Sequence, residues 1–234
     1  AILSGLAFGG AINRSDIPTT GINRLEGIDV NYARKLGYGI KLLAISEKDN
    51  TQSKCKNSQP ISIWVEPTLV PEDNPLAGVH GVNNAILVEG NPIGQVMFFG
   101  PGAGSGPTSS AVVADILNIA GIHSMSEDKT YNLDPLLSAK SWTTCHVAEE
   151  KEIRKKNYIR LITEDTPGVI GQIGTIFGQK KISIESIVQF DASKTKAEIV
   201  VITHKINQGH LKQALLEIKE LPQVKRIAAT MGCL

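Results

Sequence analysis

The chain has 234 residues, of which 41% are hydrophobic and 20% charged, and a formal net charge of +1. That length accommodates two modest domains, and that balance excludes an electrostatic case for nucleic acid or an anionic membrane surface. No apolar run approaches a membrane span, and the three cysteines, Cys55, Cys145 and Cys233, are far apart and read as reduced thiols of a cytosol-like compartment.

Residues 1–9 read as the back half of a helix ended by Gly9-Gly10. It lacks the basic flank of a signal peptide, and a helix starting uncapped is expected to belong to a longer protein. Asn13 to Glu26 is turn-rich. Asp29 is expected to cap a helix over Val30 to Leu36, which Gly37 terminates. Ile40 to Ile45 reads as a buried strand carrying Lys41, and Glu47 to Pro60 as an exposed connection. Lys41 is assigned to structural support, and His80 to ordinary surface.

Ile61 to Val65 alternates as a strand, and Thr68 to Val82 carries three turn signals. Ala85 to Val88 and Gly94 to Phe99 predict a hairpin with a four- to five-residue loop. The hairpin runs into Gly100-Pro101-Gly102-Ala103-Gly104-Ser105-Gly106-Pro107-Thr108-Ser109-Ser110, then an apolar helix from Ala111 to Ala120 closed by Gly121. A strand, a glycine-rich turn and a helix N-terminus together present free backbone N–H groups, with Thr108 or Ser109 as the expected cap. The spacing is not that of the dinucleotide fingerprint. Gly121 to Lys156 is weakly periodic and reads as a linker; Trp142 within it is expected to pack against a domain. Cys145-His146 are adjacent, but nothing nearby completes a metal site, so no metal is expected.

From Tyr158 the pattern sharpens. Tyr158 to Thr163 is a strand, Asp165 to Gly168 a turn, and Val169, Ile170, Ile173, Ile176 and Phe177 one helical face. Strands follow at Ile182 to Phe190 and Lys196 to Thr203, joined through Asp191 to Lys194. A helical stripe of Leu211, Ala214, Leu215 and Ile218 is broken by Pro222, and Val224 to Met231 is the last strand. The order βαββαβ is that of a ferredoxin-like unit. The fold class is α+β: a mixed, largely antiparallel sheet domain with flanking helices, then the ferredoxin-like βαββαβ domain.

Two resemblances attach to these motifs. Gly100-Pro101-Gly102-Ala103-Gly104, Pro107-Thr108, Ser110-Ala111-Val112 and Asp115 resemble the C-terminal part of homoserine dehydrogenases. So do Ala7-Phe8-Gly9, Gly27-Ile28, Leu36 to Ala44, Pro75-Leu76-Ala77 and Asn84-Ala85-Ile86, so the likeness covers roughly residues 1–122. Asp165-Thr166-Pro167-Gly168-Val169, followed by Ile182 to Gln189, resembles an ACT domain, a small-molecule regulatory module. The implied organisation is a catalytic substrate and dimerisation domain over residues 1–122, a linker over 123–156 and an ACT regulatory domain over 157–234.

The resemblance implies an NAD(P)-dependent oxidoreductase that interconverts homoserine and aspartate semialdehyde in threonine, methionine and isoleucine biosynthesis. It implies a cytoplasmic homodimer or higher oligomer. Gly100, Gly102 and Gly104 are then the contacts to the nicotinamide end of NADP or NAD. Asp165, Gly168, Val169 and Gln189 are then the effector site, with threonine as the first candidate. The family's catalytic Asp-x-x-x-Lys pair and Rossmann domain are expected upstream of residue 1, so this chain alone is expected to be inactive and no catalytic residue is assigned within it. Gly27-Ile28-Asp29 imitates the start of that pair, but Ala33 stands where lysine is required. A non-catalytic amino-acid-binding regulator reusing the sheet for dimerisation is the alternative.

Overall fold

The computed structural model describes residues 1–48, 60–125, 143–193 and 196–234. Cys55, Trp142 and most of the connection expected between Glu47 and Pro60 lie outside these residues. The chain divides into two compact units, one of residues 1–71 with 143–234, the other of residues 72–142.

The first unit is organised on one sheet. Its C-terminal part runs β7 (Arg154–Thr163), α4 (Val169–Gln179), β8 (Ile184–Ser193), β9 (Lys196–Thr203), a short β10 (Ile206–Asn207), α5 (Gln208–Lys219) and β11 (Val224–Cys233). The main strands lie in the antiparallel order β11-β7-β9-β8, the ferredoxin-like arrangement the periodicity predicts. Val169, Ile173 and Phe177 on α4, and Leu211, Ala214 and Ile218 on α5, bury against Ile159, Leu161, Ile199 and Val201. Alternation along β7 and β9 sends these residues to the helix side and their neighbours to the other. Asn207 starts α5 by accepting from the N–H groups of Gly209 and His210 at 2.9 and 3.2 Å.

Two strands from the first third of the chain extend this sheet. β2 (Tyr38–Lys48) and β3 (Ile61–Pro71) pair antiparallel, and β3 lies parallel to β11 through Thr68–Gly232 and Leu69–Cys233. The strands meet closely there, since a Cβ on Gly232 would lie 2.6 Å from Glu66 Oε1. β3 continues through Pro67, past its expected end. On the edge away from β2 it pairs with β11 at Thr68 and Leu69 and is bridged by Thr19 at Val65 and by Val147 at Ile61, but Pro67 carries none of these pairings, so the proline's missing N–H is tolerated.

The other face of the sheet is covered by α2 (Gly27–Lys35), whose Tyr32 and Ala33 pack with Tyr158, Val200, Ile202 and Met231. Tyr32 stacks on Phe190 with ring centroids 4.2 Å apart and planes 9° from parallel. α1 (Ile2–Phe8) ends at Gly9 in the left-handed region, as expected of a glycine there. β1 (Gly10–Ala11) and β6 (Thr143–Thr144) pair in parallel beside a small core of Ile17, Ile61 and Ile63.

The second unit contains the hairpin of β4 (Asn83–Gly90) and β5 (Gly94–Pro101), then α3 (Ser105–Met125). The hairpin loop is three residues, Asn91 to Ile93, one shorter than expected. α3 is longer than predicted at both ends. Its first residue is Ser105, so Thr108 and Ser109 lie inside it rather than capping it; Pro107 falls in the first turn, where a missing N–H costs nothing. Gly121 does not close it: one interior glycine costs about 1 kcal/mol, which a helix of this length absorbs. Val112, Val113, Ile116, Leu117, Ile119 and Ile122 on α3 are about half exposed in this chain. Among the described residues, no helix is long and apolar enough to cross a membrane.

Candidate functional site

The seven candidate residues fall into two sets, one in each unit. In the second unit the turn from β5 to α3 consists of Gly102, Ala103 and Gly104, with Gly100 paired to Asn84 on the hairpin. The two turn glycines are required for different reasons. Gly104 has φ 121°, a conformation that side chains disfavour. Gly102 does not, but a Cβ there would sit 2.8 Å from Asn84 Cγ, so any side chain at 102 must displace the exposed Asn84 amide. The Gly102 N–H also donates to Val82 O at 3.4 Å. Thr108 N–H closes the first helical turn on Gly104 O at 3.1 Å. Ser105 and Gly106 are left with no intrahelical acceptor, and Pro107 has no N–H. The result is an exposed corner of small residues that a planar or anionic group can approach to backbone distance. Nothing stands within 4 Å of a Cβ placed on Gly100.

In the first unit the turn from β7 to α4 carries the other set. A pocket of about 370 Å³ opens there, lined by Thr163, Asp165, Gly168, Val169, Gln189, Ala197 and Ile199 among others. All four residues assigned to the effector set line it. Gly168 precedes the helix with φ 92°, in the left-handed region. Gln172 N–H returns to Gly168 O at 3.0 Å, so the N–H groups of Val169, Ile170 and Gly171 have no intrahelical acceptor. The Val169 side chain is buried in the core and contributes only its backbone. Across the pocket Gln189 Nε2 donates to Asp165 Oδ1 at 3.2 Å. A helix start beside an exposed carboxylate and an amide suits a ligand with a negative and a positive end.

A third cluster was not anticipated as a unit. Arg160, 1% exposed on the central strand β7, donates from Nε to Asp29 Oδ1 at 2.7 Å and from Nη2 to Asp29 Oδ2 at 3.2 Å. It also reaches Glu26 on Nη2 at 2.7 Å and Glu198 on Nη1 at 3.1 Å. Tyr158 donates its hydroxyl to Asp29 at 3.2 Å, and Arg226 donates to Glu26 at 3.0 Å. Burial opposes the Arg160 charge, yet its hydrogen bonds to Asp29 and Glu26 prevail and raise its pKa. Burial, then the Asp29 charge, push the Tyr158 phenol well up.

Asp29 is therefore not the helix N-cap. Glu26 holds that position, and Asp29, three residues on, accepts from the Glu26 N–H at 3.1 Å to complete a capping box. The sequence signal for the rest was an arginine inside the apolar strand Tyr158 to Thr163, since a buried cation needs partners. Lys41 is half-buried on β2, and His80 is exposed. Cys145 is half-buried and Cys233 buried, both free thiols. Among the described residues no group of three His, Cys, Asp or Glu side chains could hold a metal ion.

Residues 1–117 match the family model described as homoserine dehydrogenase, and residues 157–223 match that of the ACT domain. The chain is 44% identical over 234 residues to a homoserine dehydrogenase from Synechocystis sp., covering all of this chain and 53% of that protein. It is 37% identical over 227 residues to one from Neisseria gonorrhoeae, covering 96% of this chain and 50% of the relative. Among solved structures, a homoserine dehydrogenase from Thiobacillus denitrificans superposes with a TM-score of 0.89 at 31% identity, over all of this chain and 51% of that one. One from S. aureus superposes with a TM-score of 0.63 at 25% identity, again over all of this chain and 51% of that one. The chain thus spans about half the length of the curated relatives it matches.

Proposed function

This chain belongs to the homoserine dehydrogenase family and carries an ACT domain, and on that footing we propose that it forms the substrate, dimerisation and regulatory portion of a cytoplasmic, oligomeric NAD(P)-dependent oxidoreductase. The reaction is the interconversion of L-homoserine and L-aspartate 4-semialdehyde, on the route to threonine, methionine and isoleucine. The observation that carries this reading is the corner between β5 and α3. There Gly102 lies against the exposed Asn84 amide, Gly104 takes a left-handed turn, and the Ser105 and Gly106 N–H groups lack intrahelical acceptors. That corner fits the nicotinamide end of NADP or NAD, with Gly100, Gly102 and Gly104 as the contacts. When bound, the nicotinamide supplies or accepts the hydride. These residues of the chain orient it by backbone approach.

The ACT domain supports a second part of the reading, amino-acid feedback at the β7–α4 pocket. The N–H groups of Val169, Ile170 and Gly171 receive the ligand carboxylate, and Asp165, held by Gln189, receives the ammonium group. Threonine is the first candidate by pathway position. The non-catalytic regulator is not favoured, because the family match includes the glycine-rich corner as well as the β7–α4 pocket.

Two measurements test the two parts separately. In the full-length enzyme, Gly102→Val should lower the rate of homoserine oxidation by on the order of a hundredfold, through misplacement of the cofactor; unchanged kinetics in a folded variant would make the corner a plain turn. Calorimetric titration with threonine, isoleucine, lysine and methionine should show binding that weakens about tenfold or more in Asp165→Asn. Absence of binding by all four at millimolar concentration would remove the feedback assignment.

A further inference from the structure

We propose that the buried Arg160 cluster is the link through which occupancy of the β7–α4 pocket is felt by α2 and by the β2–β3 pair beneath it. The pocket and the cluster share two strands but lie on opposite faces of them. On β9, Ala197 and Ile199 line the pocket, whereas Glu198 between them turns to the other face and accepts from Arg160 at 3.1 Å. On β7, Thr163 lines the pocket, and Arg160, three residues earlier, faces α2. Ile162 pairs with Glu198 and Thr163 with Ala197, so the two strands are locked in register at this point. Any displacement of β9 at Ala197 to Ile199 carries the Glu198 carboxylate with it.

Arg160 distributes its donors between that carboxylate and two on α2, those of Asp29 and Glu26. Arg160 and Asp29 are enclosed, so water cannot replace a bond lost between them, while Glu198 and Glu26 are 19% and 40% exposed at the outer side of the guanidinium. A buried cation stripped of a partner is strongly disfavoured, so the guanidinium follows its carboxylates. A shift of β9 is thereby passed to α2 rather than absorbed between them. α2 in turn packs its Ile28, Tyr32 and Ala33 on the face that includes Tyr38 and Ile40 of β2. Binding coupling is reciprocal, so loosening the cluster must change pocket affinity by the same factor that the ligand changes the cluster.

The link borrows from the proposed function only the identity of the ligand, and the test separates the two. Hydrogen exchange of the α2 amides is followed in the full chain with and without threonine, isoleucine, lysine or methionine. It is followed also in Ala197→Val, which adds two methyl groups at the pocket wall without any ligand. Should Ala197→Val fail to fold, Gln189→Ala replaces it as a perturbation of the pocket wall in the opposite sense: the side chain is exposed, and its loss enlarges the pocket and frees Asp165. The expected result is a change of about fivefold or more in α2 exchange on occupying the pocket or altering its wall, abolished by Glu198→Gln, with a matching change in Kd for any amino acid that binds. Unchanged α2 exchange under both perturbations would overturn the link, as would a full response in folded Glu198→Gln. If none of the four amino acids binds while the pocket variant still moves α2 through Glu198, the feedback assignment falls and the link stands.

Discussion

Arg160 and Asp29, 131 positions apart in the chain, are joined by two hydrogen bonds of 2.7 and 3.2 Å, with side chains 1% and 0% exposed. The pairing is bidentate, the geometry in which a guanidinium holds a carboxylate best. It fastens α2 to the middle strand of the C-terminal domain, and most of its energetic consequence appears only when one partner is removed.

Asp29→Ala should therefore destabilise the protein by about 3–5 kcal/mol, because Arg160 is left buried with Glu26 and Glu198 at its outer side alone. Arg160→Lys should be costly too, since one ammonium cannot span three carboxylates. Urea unfolding monitored by tryptophan fluorescence measures both. A loss below about 1 kcal/mol for Asp29→Ala would show that the cluster is less tightly closed than its distances indicate.

Glu26 gives a pH signature. The hydrogen bond from Arg160, then that from Arg226, holds its carboxyl below the ordinary 4.5. A carboxyl lowered by folding adds stability that is present above its unfolded pKa and lost as pH falls through its folded value. Stability should thus decline below about pH 4.5, and Glu26→Gln should flatten that decline. The side chain is 40% exposed, so the difference will be small. Urea midpoints for both proteins from neutral pH to about pH 3 give the comparison, and identical slopes would contradict the assignment.

The corner glycines should respond differently to the same substitution. Gly104→Ala is strained by its φ of 121° and should cost about 1 kcal/mol or more. Gly102→Ala should cost through collision with Asn84. Asn84→Ala should then rescue Gly102→Ala and leave Gly104→Ala unrescued, as read by thermal denaturation of the five single and double variants. Equal rescue of both would mean that backbone conformation and contact have been assigned to the wrong glycines.

Cys233 should be inert in the folded state. Burial pushes its thiol up to about 11, so at about pH 8 the thiolate is on the order of one part in a thousand. Iodoacetamide labelling followed by peptide mass mapping should mark Cys233 only after denaturant is added. Rapid native labelling would show that the end of β11 opens.

What the sequence disclosed was local. Val169, Ile173 and Phe177 recur at one face of a helix, and Ala197, Ile199 and Val201 at one face of a strand, so the ferredoxin-like unit was legible from period alone. Gly168 and Asp165 mark the turn that opens the pocket by turn chemistry, not by period. Asp29 was misjudged because a carboxylate near a helix start has a sufficient local explanation, while its stronger partner is 131 residues away. The strand pattern from Ile61 ends at Val65 and the helix pattern at Gly121, yet the strand runs on through Pro67 and the helix through Gly121, because tertiary context tolerates both residues. The pairing of β3 with β11 left no local trace, since parallel neighbours distant in the chain share no turn to announce them.

That pairing sets the order in which the protein can be finished. β11 lies between β3 and β7, so Thr68 and Leu69 wait for Gly232 and Cys233, although Val65 and Ile61 of the same strand are bridged earlier by Thr19 and Val147. On a ribosome most of the chain must emerge first, and until then Leu69 and Val70, both buried in the finished fold, lie at an open stretch of strand edge. Non-local pairing of this kind is slow to form. Substitutions in β11 that delay its docking should accordingly lower the soluble yield during synthesis, even where the melting temperature of the completed protein is unchanged.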